Sequence, residues 1–157
     1  MALLTGRTNA KHIGVYISDA DAGDLVDITP YTNSVGTVGL TNETTDVTAY
    51  SDGAKNVTIG QPTAPISLSG PFDTTVHTLF TGLTNGKKTD GSGLSLDIRI
   101  GIRAAWTTLG PQFGITSTAA IGYQLVSYNL SSALVWTAVL EPFGATAPAW
   151  GTAVETN

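Results

Sequence analysis

Side chains able to do acid–base or nucleophilic work are few in this chain and poorly spaced for it. There are two histidines, His12 near the amino terminus and His77 in a segment of helical period, and no cysteine. A serine nucleophile needs a base within hydrogen-bond reach and, in its strand-to-helix form, a Gly-x-Ser-x-Gly elbow. Ser69 lies in Leu-Ser-Gly and Ser92 in Gly-Ser-Gly, a strand and a turn context, and neither completes the elbow. Acids gather at Asp19, Asp21, Asp24 and Asp27, but a calcium loop would need an acid or amide where Gly23 stands and a Glu where Pro30 stands. An Asx-type turn is the better expectation there. His77 falls off the apolar stripe of its segment, among polar neighbours, as a surface histidine would. No phosphate loop and no metal-spaced His/acid pair occurs. The chain is expected not to be an enzyme, with no catalytic residues, no metal and no cofactor.

Charge narrows the partners. The net charge is −5 and the seven basic residues are scattered, whereas a protein that grips phosphates needs clustered Lys and Arg. Only Lys87 and Lys88 are adjacent, beside turn residues, so a solvated loop is expected for both. An acidic surface that repels DNA fits this count. The amino terminus has an apolar patch of three residues after Met1, too short for a signal peptide, and no apolar run nears the ~20 residues that cross a bilayer. Charged residues make up only 12% of the chain, little for a surface that must keep copies apart. One explanation is a robust secreted β-domain; the other is a subunit largely covered by copies of itself.

The elements follow from period and punctuation. Thr, Val and 18 glycines suit short pleated strands separated by turns, so the fold class is all-β with one short helix. Residues 1–12 are expected to form an amino-terminal arm, 13–142 a single β-domain and 143–157 a carboxy-terminal arm. Strands are expected at 13–17, 25–28, 32–40 (bent or bulged), 44–50, 55–60, 64–69, 94–104, 116–130 and 133–141. In the strand over 94–104 the polar side carries Asp97, Arg99 and Arg103 and is expected to face water or a neighbouring subunit. The last strand is apolar on both faces, which implies burial on two sides or contact with another chain. Residues 106–115 read as a turn or loop. Helical spacing of Val76, Leu79, Phe80 and Leu83 behind the potential cap Asp73 predicts a helix over about 72–83. Trp150 stands alone in the tail and is expected to dock on its own sheet or on a neighbour.

The order of segments carries a resemblance. Asp46-Val47-Thr48-Ala49-Tyr50, a turn at Asp52-Gly53, Ile66-Ser67-Leu68-Ser69-Gly70-Pro71-Phe72-Asp73 and then a short helix resemble the major tail tube proteins of long-tailed (siphovirus-type) bacteriophages. Ser127-Tyr128 followed by Val135-Trp136 fits the same pattern. The resemblance implies a β-sandwich or small barrel of the phage tail-tube type. It further implies a homo-oligomeric ring, usually hexameric, in which one sheet per subunit joins a barrel around a lumen. Rings would stack into a tube through loops and terminal arms, beside other virion proteins, with genomic DNA passing without specific binding and no membrane involved. The location implied is the virion tail, after synthesis in the host cytoplasm. Candidate interface residues are Asp46, Tyr50, Ser51, Asp52, Gly53, Lys55, Trp136, Phe143 and Trp150. A capsid decoration or cement protein, a head–tail joining protein and, more remotely, an extracellular carbohydrate-binding β-domain are the alternatives.

Overall fold

The computed structural model describes residues 13–21, 25–100 and 112–151. The expected amino-terminal arm, Arg103 and the end of the tail lie outside them. Among the described residues about 50% are strand, with one short α-helix and two larger sheets, neither closed into a barrel. Strand β1 (Ile13–Ser18) lies between β7 and β2 in a five-stranded sheet ordered β11-β8-β7-β1-β2, with β2 at Leu25–Asp27, β7 at Leu96–Ile100, β8 at Gln112–Ile115 and β11 at Ala149–Trp150. The second sheet runs β3-β6-β10-β9: β3 is Ser34–Val35, β6 Ile66–Pro71, β9 Gly122–Leu130 and β10 Val135–Phe143. Strands β4 (Thr41–Asp46) and β5 (Val57–Thr63) pair only with each other.

Alternation explains the two-layer packing. Val15, Ile17, Leu96, Ile98, Phe113 and Ile115 on one sheet meet Ile66, Leu68, Tyr123, Trp136, Ala138 and Leu140 on the other in one continuous core. Side chains one residue apart on a strand point to opposite faces, so Ser67 stays exposed between the buried Ile66 and Leu68. Helix α1 (Thr74–Thr81) starts where Asp73 accepts a hydrogen bond from the Thr75 amide at 2.7 Å, filling one of the orphan donors of a first turn. It buries Val76, Leu79 and Phe80. The Phe80 ring lies 5.8 Å from Trp136 and 5.3 Å from Tyr128, so the helix is seated on β9 and β10.

Close backbone approaches fix the glycines of this layer. A Cβ on Gly70 would lie 2.0 Å from the Tyr31 carbonyl oxygen, the same oxygen that accepts the Trp136 indole N–H at 3.2 Å. Asn85 and Gly86 have φ of 51° and 76°, the pair of left-handed residues a tight hairpin turn needs. The Gly86 carbonyl then accepts from the Leu125 amide at 2.8 Å, fastening the turn to β9.

Several expected boundaries move. The bent strand over 32–40 shrinks to Ser34–Val35, and the strand expected at 44–50 begins at Thr41 and ends at Asp46. Part of the expected loop 106–115 is strand β8. Strand β10 runs through Pro142 to Phe143, because its ladder with β6 stops at Leu140 and leaves one side free for a residue without an N–H. Nor is it the final strand or buried on both faces: Trp136, Ala138 and Leu140 point inward, while Val135 and Thr137 are exposed.

The largest correction concerns the polar side of β7. Asp97 is fully buried and Arg99 nearly so. They form an ion pair on one face of the strand, with the guanidinium 4.2 Å over the Tyr16 ring on the adjacent strand. Burial pushes the Asp97 carboxyl above its ordinary value, against the opposing pull of Arg99, and its Oδ1 has no hydrogen-bond partner among the described residues. Alternation alone assigned these charges to water or a neighbouring subunit; their mutual pairing allows both to be buried within the subunit.

Candidate assembly surface

The β4–β5 hairpin is built by local chemistry. Threonines and β-branched residues favour the extended backbone, and a register shift between Asn42 and Thr44 places extra β5 residues opposite Glu43. The connecting loop, residues 47–56, is tied by its own polar groups. Asp46 Oδ1 accepts from the Thr48 amide at 2.9 Å and from its hydroxyl at 2.6 Å. Asp52 Oδ2 accepts from the Ala49 amide at 2.8 Å, and Thr48 Oγ1 from the Asn56 amide at 2.8 Å. The two bonds from Thr48 hold the Asp46 carboxyl below its ordinary value.

An ordered loop normally shares in a core, and this one does not. Every residue from Leu40 to Thr63 is exposed, among them Val47, Val57 and Ile59, the last at 65%. The Tyr50 ring is entirely in solvent. Isolated two-stranded hairpins are marginal in water, and apolar groups concentrated on one exposed projection mark a contact surface.

The nine sequence candidates divide by location. Asp46, Tyr50, Ser51, Asp52, Gly53 and Lys55 all lie at the hairpin tip, exposed, and a Cβ on Gly53 would meet nothing within 4 Å. Phe143 ends β10, with the Lys87 ammonium 3.9 Å above its ring. Trp150 is half exposed, its strand paired with β8 and its ring 5.1 Å from Phe113. Trp136 is fully buried in the core, so no partner can reach it. Its position between apolar neighbours on an alternating strand signals burial as readily as contact.

Two smaller expectations also change, for the lysine pair and for His77, and a third holds. Lys88 is buried and its Nζ donates to Ser117 Oγ at 3.2 Å, while the Ser95 hydroxyl donates to the same oxygen at 3.0 Å. Together with Lys87 on Phe143, this removes the solvated-loop reading of both lysines. His77 is half-buried, its Nδ1 3.2 Å from the Tyr128 hydroxyl and its ring 5.6 Å from Phe72, so it faces aromatic rather than polar neighbours. The Asx turn at the acidic cluster is present: Asp19 Oδ1 accepts from the Asp21 amide at 3.0 Å.

Residues that sequence reasoning did not single out form a second surface. Ser34, Ser69, Thr137 and Asn129 stand in one row across β3, β6, β10 and β9, and Ser67, Val139 and Ser127 in the next. The rows are uncharged. Beyond Leu125 no described residue pairs with the outer edge of β9, which leaves a free template for another strand.

No protein-family model and no curated protein sequence matches this chain. Solved structures do. A chain of the tube-terminating cap of the anti-feeding prophage is similar with a TM-score of 0.60 at 15% identity, over 98% of this chain and 96% of that one. A chain of the sheath–tube complex of an extracellular contractile injection system gives 0.59 at 14% identity, over 96% and 95%. A chain of the virion of a native gene transfer agent particle gives 0.53 at 15% identity, over 93% and 100%. At such identities the likeness is one of fold, and it spans almost the whole of each chain.

Proposed function

We propose that the chain is a structural subunit of a phage-like tail, the major tube protein of a long-tailed virion. Copies form rings, hexameric in the first instance, and the rings stack around a lumen through which DNA passes. The observation that carries this reading is the hairpin from Leu40 to Thr63, ordered by its own hydrogen bonds yet without a residue in the core. Such a projection gains its missing burial on a neighbouring copy. The fold likeness to chains of tail and tube assemblies supports the same reading, and one of the similar structures is a gene transfer agent tail of C6 symmetry. The edge of β9 that no described residue covers, and the two uncharged rows on the outer face of its sheet, suit a sheet that continues from copy to copy. A lumen without clustered cations gives phosphates nothing to hold, and the chain's net charge of −5 repels them.

A second reading has its own support: two of the similar structures are a tube-terminating cap and a sheath/tube terminator. A terminator would close a tube rather than propagate one. Negative-stain electron microscopy of the purified chain over a concentration series tests both. Hollow tubes that lengthen with concentration are expected. Single rings that never stack would favour the terminator, and dispersed particles at every concentration would overturn the assembly reading.

A further inference from the structure

We propose that Trp150 sets the angle at which the β4–β5 hairpin leaves the two-sheet body, its indole acting as a stop against the Gly39 backbone. Such a stop works within one chain, whatever surface the hairpin later meets. The hairpin joins the body through two segments of unequal firmness. On the leaving side Ala64 is sealed from water, and its carbonyl accepts from the buried Tyr123 hydroxyl at 2.9 Å. That root is a fixed pivot. On the entering side the Gly36 amide donates to the Ser67 carbonyl at 2.8 Å. Residues 37–40 then cross, outside any strand, to Thr41, where the ladder with β5 begins. Within this crossing Gly39 has φ of 141°, a conformation open to glycine and rare for other residues, so the bend is intrinsically soft.

Trp150 limits that softness. A Cβ on Gly39 would sit 3.8 Å from the indole Nε1 and 4.0 Å from Cζ2, the distance of ordinary van der Waals contact. The indole is itself held from behind. Its strand is paired with β8, the Gly151 amide donates to the Gln112 carbonyl at 2.6 Å, and its ring lies 5.1 Å from that of the buried Phe113. A tryptophan has two side-chain torsions, so a ring fixed along one side transmits that position to its other edge. The leaving root has room for movement: Gln61 and Pro62 line a crevice of about 180 Å³ against residues 142–147. Pivot, space and stop together make the hairpin an arm whose direction the carboxy-terminal segment decides. An arm already held at one angle loses less freedom when a partner binds it.

The absence of cysteine allows spin labels to be placed at chosen sites. Ser51→Cys with Ala119→Cys reads the hairpin tip against the body, and Ser132→Cys with Ala119→Cys reads the body against itself; all three positions are exposed. Distances are measured by pulsed electron paramagnetic resonance on the full chain, below the concentration at which particles form. With Trp150 in place the hairpin pair should give one narrow distribution. Trp150→Ala should broaden or shift it and leave the body pair unchanged. Trp150→Phe separates bracing from packing, because a single ring keeps the place beside Phe113 and gives up the reach to Gly39. The hairpin distribution should broaden there too, while the urea midpoint stays at the parent value. A narrow, unshifted hairpin distribution in either variant, or one already broad in the parent, would overturn the stop. Equal broadening of the body pair would overturn it as well, by assigning Trp150 to the whole fold rather than to the hairpin.

Discussion

The two-sheet core and the β4–β5 hairpin use the same strand chemistry toward opposite ends. In the core, alternation buries one side of each strand against a facing sheet, and Trp136, Tyr123 and Phe113 are sealed from water. In the hairpin, β-branched residues and threonines form a ladder of equal regularity, with Val57 and Ile59 left in solvent. One acid from each region shows the same divergence. Asp97 is buried with its charge matched by Arg99, whereas Asp46 is exposed and accepts from the Thr48 amide and hydroxyl. A regular secondary structure therefore does not reveal whether its stability comes from its own chain. The core stabilises the subunit, and the hairpin has surface to offer another.

The largest effect should come from the core. Trp136→Ala removes an indole with zero exposure, its hydrogen bond to Tyr31 and its ring contact with Phe80. A loss of about 3–5 kcal/mol of folding stability is expected by urea denaturation. A loss under about 1 kcal/mol would place the indole outside the cooperative core.

Deleting residues 51–54 from the hairpin tip should do the reverse. Tubes or rings should vanish from micrographs, while the unfolding free energy of the remaining monomer, read by urea denaturation, changes by no more than about 0.5 kcal/mol. Normal tubes from this deletion would end the division of labour drawn above. Trp150→Ala sits between the extremes, because half of the ring packs on Phe113 and half faces outward. Here about 1 kcal/mol of stability should go and the size-exclusion profile should move toward monomer. An unchanged profile would assign Trp150 to its own sheet alone.

Much of this division is legible in residues read locally. The alternation of Ile66, Ser67, Leu68 and Ser69 gives both faces of β6, and Asp73 ahead of Val76, Leu79 and Phe80 marks the helix and its buried side. Both signals lie within a few residues of what they determine. Long-range pairing is where local signals fail. Nothing near Trp150 names β8 as its partner strand, and nothing in an alternating Asp97 and Arg99 shows that a neighbouring tyrosine will help to bury them. The hairpin tip is a candidate contact through the order of its segments, Asp46 to Tyr50 followed by the turn at Asp52-Gly53. That its strands are equally exposed could not be read, since Val57 and Ile59 alternate just as core residues do.

The smallest effect tests the two acids by sign. Asp97 has a folded pKa above the ordinary 3.8 because burial disfavours its charge. The cost of that charge is therefore present at neutral pH, relieved as pH falls through the folded value and absent below 3.8. Asp46 has a folded pKa below 3.8, so its contribution is present above 3.8 and lost as pH falls through the folded value. Urea titrations from about pH 6 to about pH 3 should show the wild type gaining stability relative to Asp97→Asn and losing it relative to Asp46→Asn. Urea is preferred to a charged denaturant, which would screen both acids. If both comparisons moved in the same direction, the contrast between a buried and a solvated carboxylate would fail at the residues that express it most directly.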